Sequence, residues 1–85
     1  MLTEEAKSKK KIMDEEPNFS VLKLIVNGHE TKKELAKILG ISMKRLTNIL
    51  LYLNRKNIIR MNYYGPGDVT YHITFGALLL FNNNL

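Results

Sequence analysis

The chain has 85 residues, a formal net charge of +5 and no cysteine. That length holds one small domain with a modest core, and the lack of thiols excludes a disulfide framework or a thiolate metal site. No apolar run is long enough for a membrane span and the N-terminus lacks the apolar segment of a secretory signal, so the expectation is a cytoplasmic protein whose basic balance permits a polyanionic partner.

Residues 1–16 are dense in charge. Lys7, Lys9, Lys10 and Lys11 stand against Glu4, Glu5, Asp14, Glu15 and Glu16, a local net of −1. Thr3 can cap a helix with Glu4 and Glu5 in its first turn, and Leu2, Ala6, Ile12 and Met13 supply a thin apolar stripe, so the segment reads as a charged N-terminal arm or a marginal helix. Lys7 to Lys11 could track a nucleic-acid groove; the flanking acids favour a solvated appendage. Residues 17–85 then form the main unit. Pro17 suits the first turn of a helix in which Phe19, Leu22, Ile25 and Val26 recur at helical spacing, and Asn27-Gly28 ends it. The consecutive apolar Leu24, Ile25 and Val26 predict burial on more than one side.

The stretch from Thr31 to Lys56 predicts two short helices meeting at a tight turn. Thr31 with Glu34 forms a capping box: the threonine oxygen accepts from the Glu34 N–H, and the glutamate reaches back. Leu35, Ala36 and Leu39 make one apolar face, and Gly40 offers the left-handed backbone that ends a helix. Ile41 plugs the corner, Ser42 caps the next helix, and Leu46, Ile49, Leu50 and Leu53 define its buried side. This arrangement resembles the helix-turn-helix of DNA-binding regulators, with small Ala36 inside the first helix, Gly40 at the turn, and Leu46 and Ile49 anchoring the second.

Between Thr31 and Arg60 the bases Lys32, Lys33, Lys37, Lys44, Arg45, Arg55, Lys56 and Arg60 face a single acid, Glu34, a local net of +7. Phosphate neutralisation needs such a concentration, although lysines also merely solubilise a surface. Beyond Lys56, Asn57 suits a left-handed helix end. The period then changes to two: Ile59, Met61 and Tyr63, then Val69, Tyr71 and Ile73, alternate with polar residues around the reversal Gly65-Pro66-Gly67-Asp68. The expected result is a two-stranded hairpin. Phe75, Ala77, Leu78, Leu79, Leu80 and Phe81 then form a helix apolar nearly all round, followed by Asn82-Asn83-Asn84.

The full order resembles the winged-helix family, in particular small MarR-like and archaeal regulators, over Pro17 to about Phe81. The family's pattern after the second helix stands here as Leu46, Ile49, Leu50, Leu53, Arg55-Lys56, Asn57 and Ile58-Ile59, with Asn57 in place of glycine. Ile73-Thr74 followed by Gly76 is similar to its joint between strand and final helix. The hairpin tip departs from the pattern, carrying Asp68 and no Arg or Lys. The resemblance implies a mainly helical α+β fold: a three-helix core with a helix-turn-helix, a hairpin wing and a C-terminal helix.

It also implies duplex-DNA binding by a dimeric transcription regulator whose 43–56 helix enters the major groove. On the helical wheel Lys44, Arg45, Thr47, Asn48, Tyr52 and Arg55 point outward. Lys44 and Arg45 can donate to guanine, Asn48 can pair with adenine, and Thr47 can meet a thymine methyl or a phosphate. Lys32, Lys33 and Ser42 are placed for phosphates. Leu51 also points outward. One small domain does not cover every side of the last helix, so Phe75, Leu78, Leu79 and Phe81 are expected to join a homodimer.

Catalytic residues, metal ligands, cofactors and a small-molecule ligand are not expected. There is no shared-face carboxylate pair, no Gly-rich phosphate loop, and neither His29 nor His72 has an acid or second histidine at ligand spacing. The alternative function is a winged-helix protein–protein module in a replication or transcription assembly, which the uncharged, tyrosine-bearing wing with Tyr63 and Tyr64 favours.

Overall fold

Thr3, Thr31 and Ser42 each accept a hydrogen bond on the side-chain oxygen from the backbone N–H three residues on, at 3.1, 3.3 and 3.1 Å, and a helix begins behind each. In this computed structural model, which describes residues 3–82, the helices are α1 (Glu4–Asp14), α2 (Asn18–Val26), α3 (Lys32–Leu39), α4 (Met43–Arg55) and α5 (Phe75–Asn82). Strands β1 (Ile59–Gly65) and β2 (Asp68–Ile73) lie between α4 and α5. Leu2 of the N-terminal stripe and Asn83-Asn84 of the tail lie outside the described residues. The observed order is that of a mainly helical winged helix.

α3 stops because Gly40 adopts φ 67°, and the Gly40 and Ile41 N–H groups both donate to Ala36 O (2.9 and 3.3 Å). Asn57 does the same after α4 with φ 60°. The return half of the expected capping box is absent. Glu34 turns its carboxylate to His29 Nδ1 at 2.8 Å instead of to the Thr31 N–H, so Thr31 alone caps α3.

The core draws on every element: Met13, Val21, Leu22, Leu35, Leu46, Leu53 and Ile58 are fully buried, and Ile59 of β1, Tyr71 of β2 and Ala77 of α5 are buried with them. Each such side chain stabilises by about 1.5–3 kcal/mol on leaving water. Met13 sits in this same core, so the N-terminal segment is present as a helix docked on α2 and α5. Asn18 Nδ2 fastens the junction by donating to Ile12 O at 3.0 Å. Burial in α2 is narrower than the run Leu24-Ile25-Val26 predicts. Ile25 is buried and Leu24 half-buried, but Val26 is exposed, because α1, α3 and β2 occupy the other sides of the helix.

The hairpin is antiparallel, pairing Ile59 with Ile73, Met61 with Tyr71 and Tyr63 with Val69; Gly65 then meets Asp68, leaving Tyr64 as an extra residue on β1. Its base is tied in twice. Tyr71 N–H donates to Glu30 O at 2.9 Å, and Thr74 N–H donates to Ile58 O at 3.0 Å. Thr74 Oγ1 donates to Asn57 O at 2.9 Å and accepts from Ala77 N–H at 3.4 Å, which starts α5 where the strand ends. Among the described residues no helix is long and apolar enough to cross a membrane.

Candidate nucleic-acid interface

Leu46, Leu50 and Leu53 are buried, and this fixes the rotation of α4. Lys44, Arg45, Asn48, Tyr52 and Arg55 are therefore exposed together on the opposite side. Thr47 is placed differently from the others. It is half-buried, its Oγ1 donates to Met43 O at 2.8 Å, and the same Oγ1 accepts from Lys32 Nζ at 3.3 Å. Its hydroxyl is thus committed within the motif. Lys32 is held half-buried against α4 by that bond, whereas Lys33 is exposed beside it. Ser42 is exposed, with Oγ accepting from Arg45 N–H and its own hydrogen left for another acceptor.

The electrostatics are one-sided. Among the described residues, ion pairs join Lys7 to Glu4, Lys9 to Glu5 and Lys10 to Asp14 within α1, and each of the two histidines has a ring nitrogen against a glutamate carboxylate. None of the eight bases between Thr31 and Arg60 takes part in one. Glu34, the only acid there, is turned to His29. Lys56 Nζ stands 5.8 Å from the Tyr52 ring centroid, a cation–π contact that leaves its charge uncancelled. An uncompensated basic surface in high dielectric costs little to keep and attracts a polyanion. In α1, by contrast, Lys7, Lys9 and Lys10 are answered by acids of their own helix.

The expectation that His29 and His72 lack acidic neighbours is corrected by the fold. His29 Nδ1 meets Glu34 Oε2 at 2.8 Å; His72 Nδ1 meets Glu30 Oε2 at 2.9 Å, with Thr70 Oγ1 3.0 Å from its Nε2. Chain folding makes the second pair, and no sequence spacing announces it. Among the described residues no three His, Cys, Asp or Glu side chains converge as a metal cluster.

A groove between the hairpin and the helix pair is lined by Lys32, Lys33, Met43, Met61 and Val69, with Asp68 of the turn as its one acid. Burial fades along β1 towards the tip: Ile59 is buried, while Tyr63 and Tyr64 are 69% and 67% exposed. Asp68 at the turn is exposed.

α5 divides into two faces. Ala77 and Leu80 enter the core, and Phe81 stacks on Phe19 of α2 at 5.6 Å. Leu78 is half-buried, and Phe75 and Leu79 are 76% and 50% exposed. Of the four residues expected to meet a second copy, Phe81 is thus partly engaged by its own chain.

No protein-family model matches the sequence, and no curated protein does. Solved structures share its fold. YodB from B. subtilis in a diamide-treated form is 21% identical, with 99% of this chain and 89% of that one covered at a TM-score of 0.78. HlyU from Vibrio cholerae N16961 is 19% identical over 96% of this chain and 94% of that one, at 0.77. The AntR antimony-specific transcriptional repressor is 18% identical over 94% and 73%, at 0.78. YodB is described as a transcriptional regulator. At such identities the likeness is one of fold, and that fold is the winged helix.

Proposed function

We propose that this winged-helix chain binds duplex DNA as a homodimeric transcription regulator, with α4 in the major groove. The observation that carries this reading is the exposed basic face of the helix-turn-helix, in which no base is ion-paired. Lys44, Arg45 and Asn48 lie in the first turns of α4, where a recognition helix reaches deepest, and take base edges. Thr47 contributes its methyl group, since its oxygen is bonded to Met43 and Lys32. Lys32, Lys33, Ser42, Tyr52 and Arg55 meet the phosphate backbone on either side. Phe75 and Leu79, with Leu78 and Phe81, join two copies so that their α4 helices reach half-sites about 34 Å apart. Likeness in fold to regulators supports the reading and does not carry it alone.

The test is fluorescence anisotropy of a labelled mixed-sequence duplex titrated at two salt concentrations, beside the variant Lys44→Ala/Arg45→Ala/Asn48→Ala. A dimer making about six phosphate contacts loses on the order of a thousandfold in affinity as salt rises fourfold. Each lost base contact on a preferred sequence costs about 1–3 kcal/mol. No binding at low salt would reject the reading. It would favour the second one, a protein-docking module, which the exposed Tyr63 and Tyr64 and the acidic tip at Asp68 support.

A further inference from the structure

Met43, Thr47 and Leu51 follow one another four residues apart in α4 and so line one edge of its outward side. Met43 is 48% and Leu51 43% exposed, and neither belongs to the core. Thr47 completes the line as an apolar group, because its hydroxyl is bonded to Met43 O and Lys32 Nζ. The lane is about 12 Å long at the helical rise per residue. On one side of it stand Lys44, Asn48 and Arg55; on the other, Lys32 reaches Thr47.

Charge decides what such a lane meets. An apolar protein partner would have to bury the neighbouring ammonium and guanidinium groups without acids to pair them, whereas a polyanion that displays methyl groups satisfies both the lane and its borders. Duplex DNA does this in the major groove, where thymine alone of the four bases presents a C5-methyl group. We infer that Met43, Thr47 and Leu51 read thymine methyl groups on about three successive base pairs, while Lys44 and Asn48 in the adjoining lane read purine edges. The inference rests on the DNA-binding function proposed above and names the base class that function selects. Leu51, which plays no part in hydrogen-bonded base contact, becomes a specificity-determining residue.

The test uses duplexes recovered by the full chain from a random-sequence pool, resynthesised with deoxyuridine replacing thymine one position at a time. This removes the methyl group and keeps the base pair. The expected result is about fourfold weaker binding at each of two or three adjacent positions of a half-site, the effect of one uncovered methyl group. Leu51→Ala abolishes that sensitivity at one of them and leaves the others. The variant is at an exposed helical position and alanine is a better helix former, and an unchanged melting temperature verifies that it folds. Binding without sequence enrichment, tolerance of deoxyuridine throughout, or a deoxyuridine effect that Leu51→Ala leaves intact would each overturn the methyl readout and leave DNA binding standing. No duplex bound at low salt would overturn DNA binding, and the methyl readout with it.

Discussion

The carboxylate of Glu30 stands 2.9 Å from Nδ1 of His72, while the Glu30 carbonyl accepts from the Tyr71 N–H at 2.9 Å. One residue just before α3 therefore contacts the base of the wing through both its side chain and its backbone. Both side chains keep about 40% of their surface in solvent, so the side-chain contact is worth about 1 kcal/mol at most. Glu30→Ala is expected to lower the melting temperature by only a few degrees, about what that energy gives in a domain of this size. Its larger effect is local: amide exchange at Tyr71 and His72 accelerates while that of Leu50 and Leu53 does not. His72→Ala should match it, and the double variant should add little. Unchanged exchange at Tyr71 would show that the backbone bond alone fixes the wing.

Two left-handed residues bracket α4, one in the turn before it and one after its end, and they respond to substitution in opposite directions. A Cβ on Gly40 would meet nothing within 4 Å, so Gly40→Ala is disfavoured by its φ of 67° alone. The expected loss is about 1–2 kcal/mol in urea unfolding. Asn57→Gly, at φ 60°, relieves a smaller strain and should stabilise by a few tenths of a kcal/mol. Equal effects of one sign would show that the two helix ends are governed by something other than backbone conformation.

The same contrast explains what was legible in the sequence. Thr31, Gly40, Ser42 and Asn57 act within a few residues of themselves, and the helices they delimit stand as expected. The outward placement of Lys44, Arg45, Asn48, Tyr52 and Arg55 follows from helical geometry once the leucines are buried. Features made by distant parts of the chain had no local signal. Glu30 and His72 meet through the fold. The Glu34–His29 contact is local, but the capping pattern does not show which of two nearby partners the Glu34 carboxylate takes. Thr47 looks like any outward threonine until Lys32 arrives from α3. In α5 the uniform apolarity hides which side packs, because a helix with no polar face has no periodicity to read.

Met13 carries the case for α1 as part of the fold. Its side chain is fully buried although its helix is otherwise mostly polar. Met13→Ala is expected to cost about 2–5 kcal/mol, a large share of the stability of a small domain, and to lower the urea midpoint without changing the number of transitions. Ile12→Ala, at a half-buried position, should cost less. A loss at Met13 no larger than at Ile12 would mean that α1 only rests on the rest of the core.

Tyr71 makes stability depend on pH at the alkaline end. Burial pushes its phenol above the ordinary value of 10.0, because the fold disfavours the phenolate. The sign follows from linkage: the unfolded chain releases this proton first, so the contribution is fully present below pH 10.0 and is lost as pH rises through the higher native value. Tyr71→Phe should remove that part of the decline, seen as a difference between the urea unfolding curves of the two proteins across this range. Parallel declines would show that the lysines account for all of it.

Phe75 and Leu79, four residues apart on the outer face of α5, carry the proposed dimer. Ala77 and Leu80 are already in the core and Phe81 already stacks on Phe19, so removing the outer pair leaves the protomer's own packing intact. Covering each large apolar side chain is worth about 1.5–3 kcal/mol, and a two-fold interface covers each of them twice. In sedimentation equilibrium at micromolar concentration, the wild-type chain is expected at twice its 9.8 kDa mass and Phe75→Ser/Leu79→Ser at the single mass, with helical content retained. The monomeric variant should also show about half the salt dependence of DNA binding, since it brings half the phosphate contacts. A wild-type monomer with full salt dependence would reject the α5 interface and leave the basic face of a single protomer to account for binding.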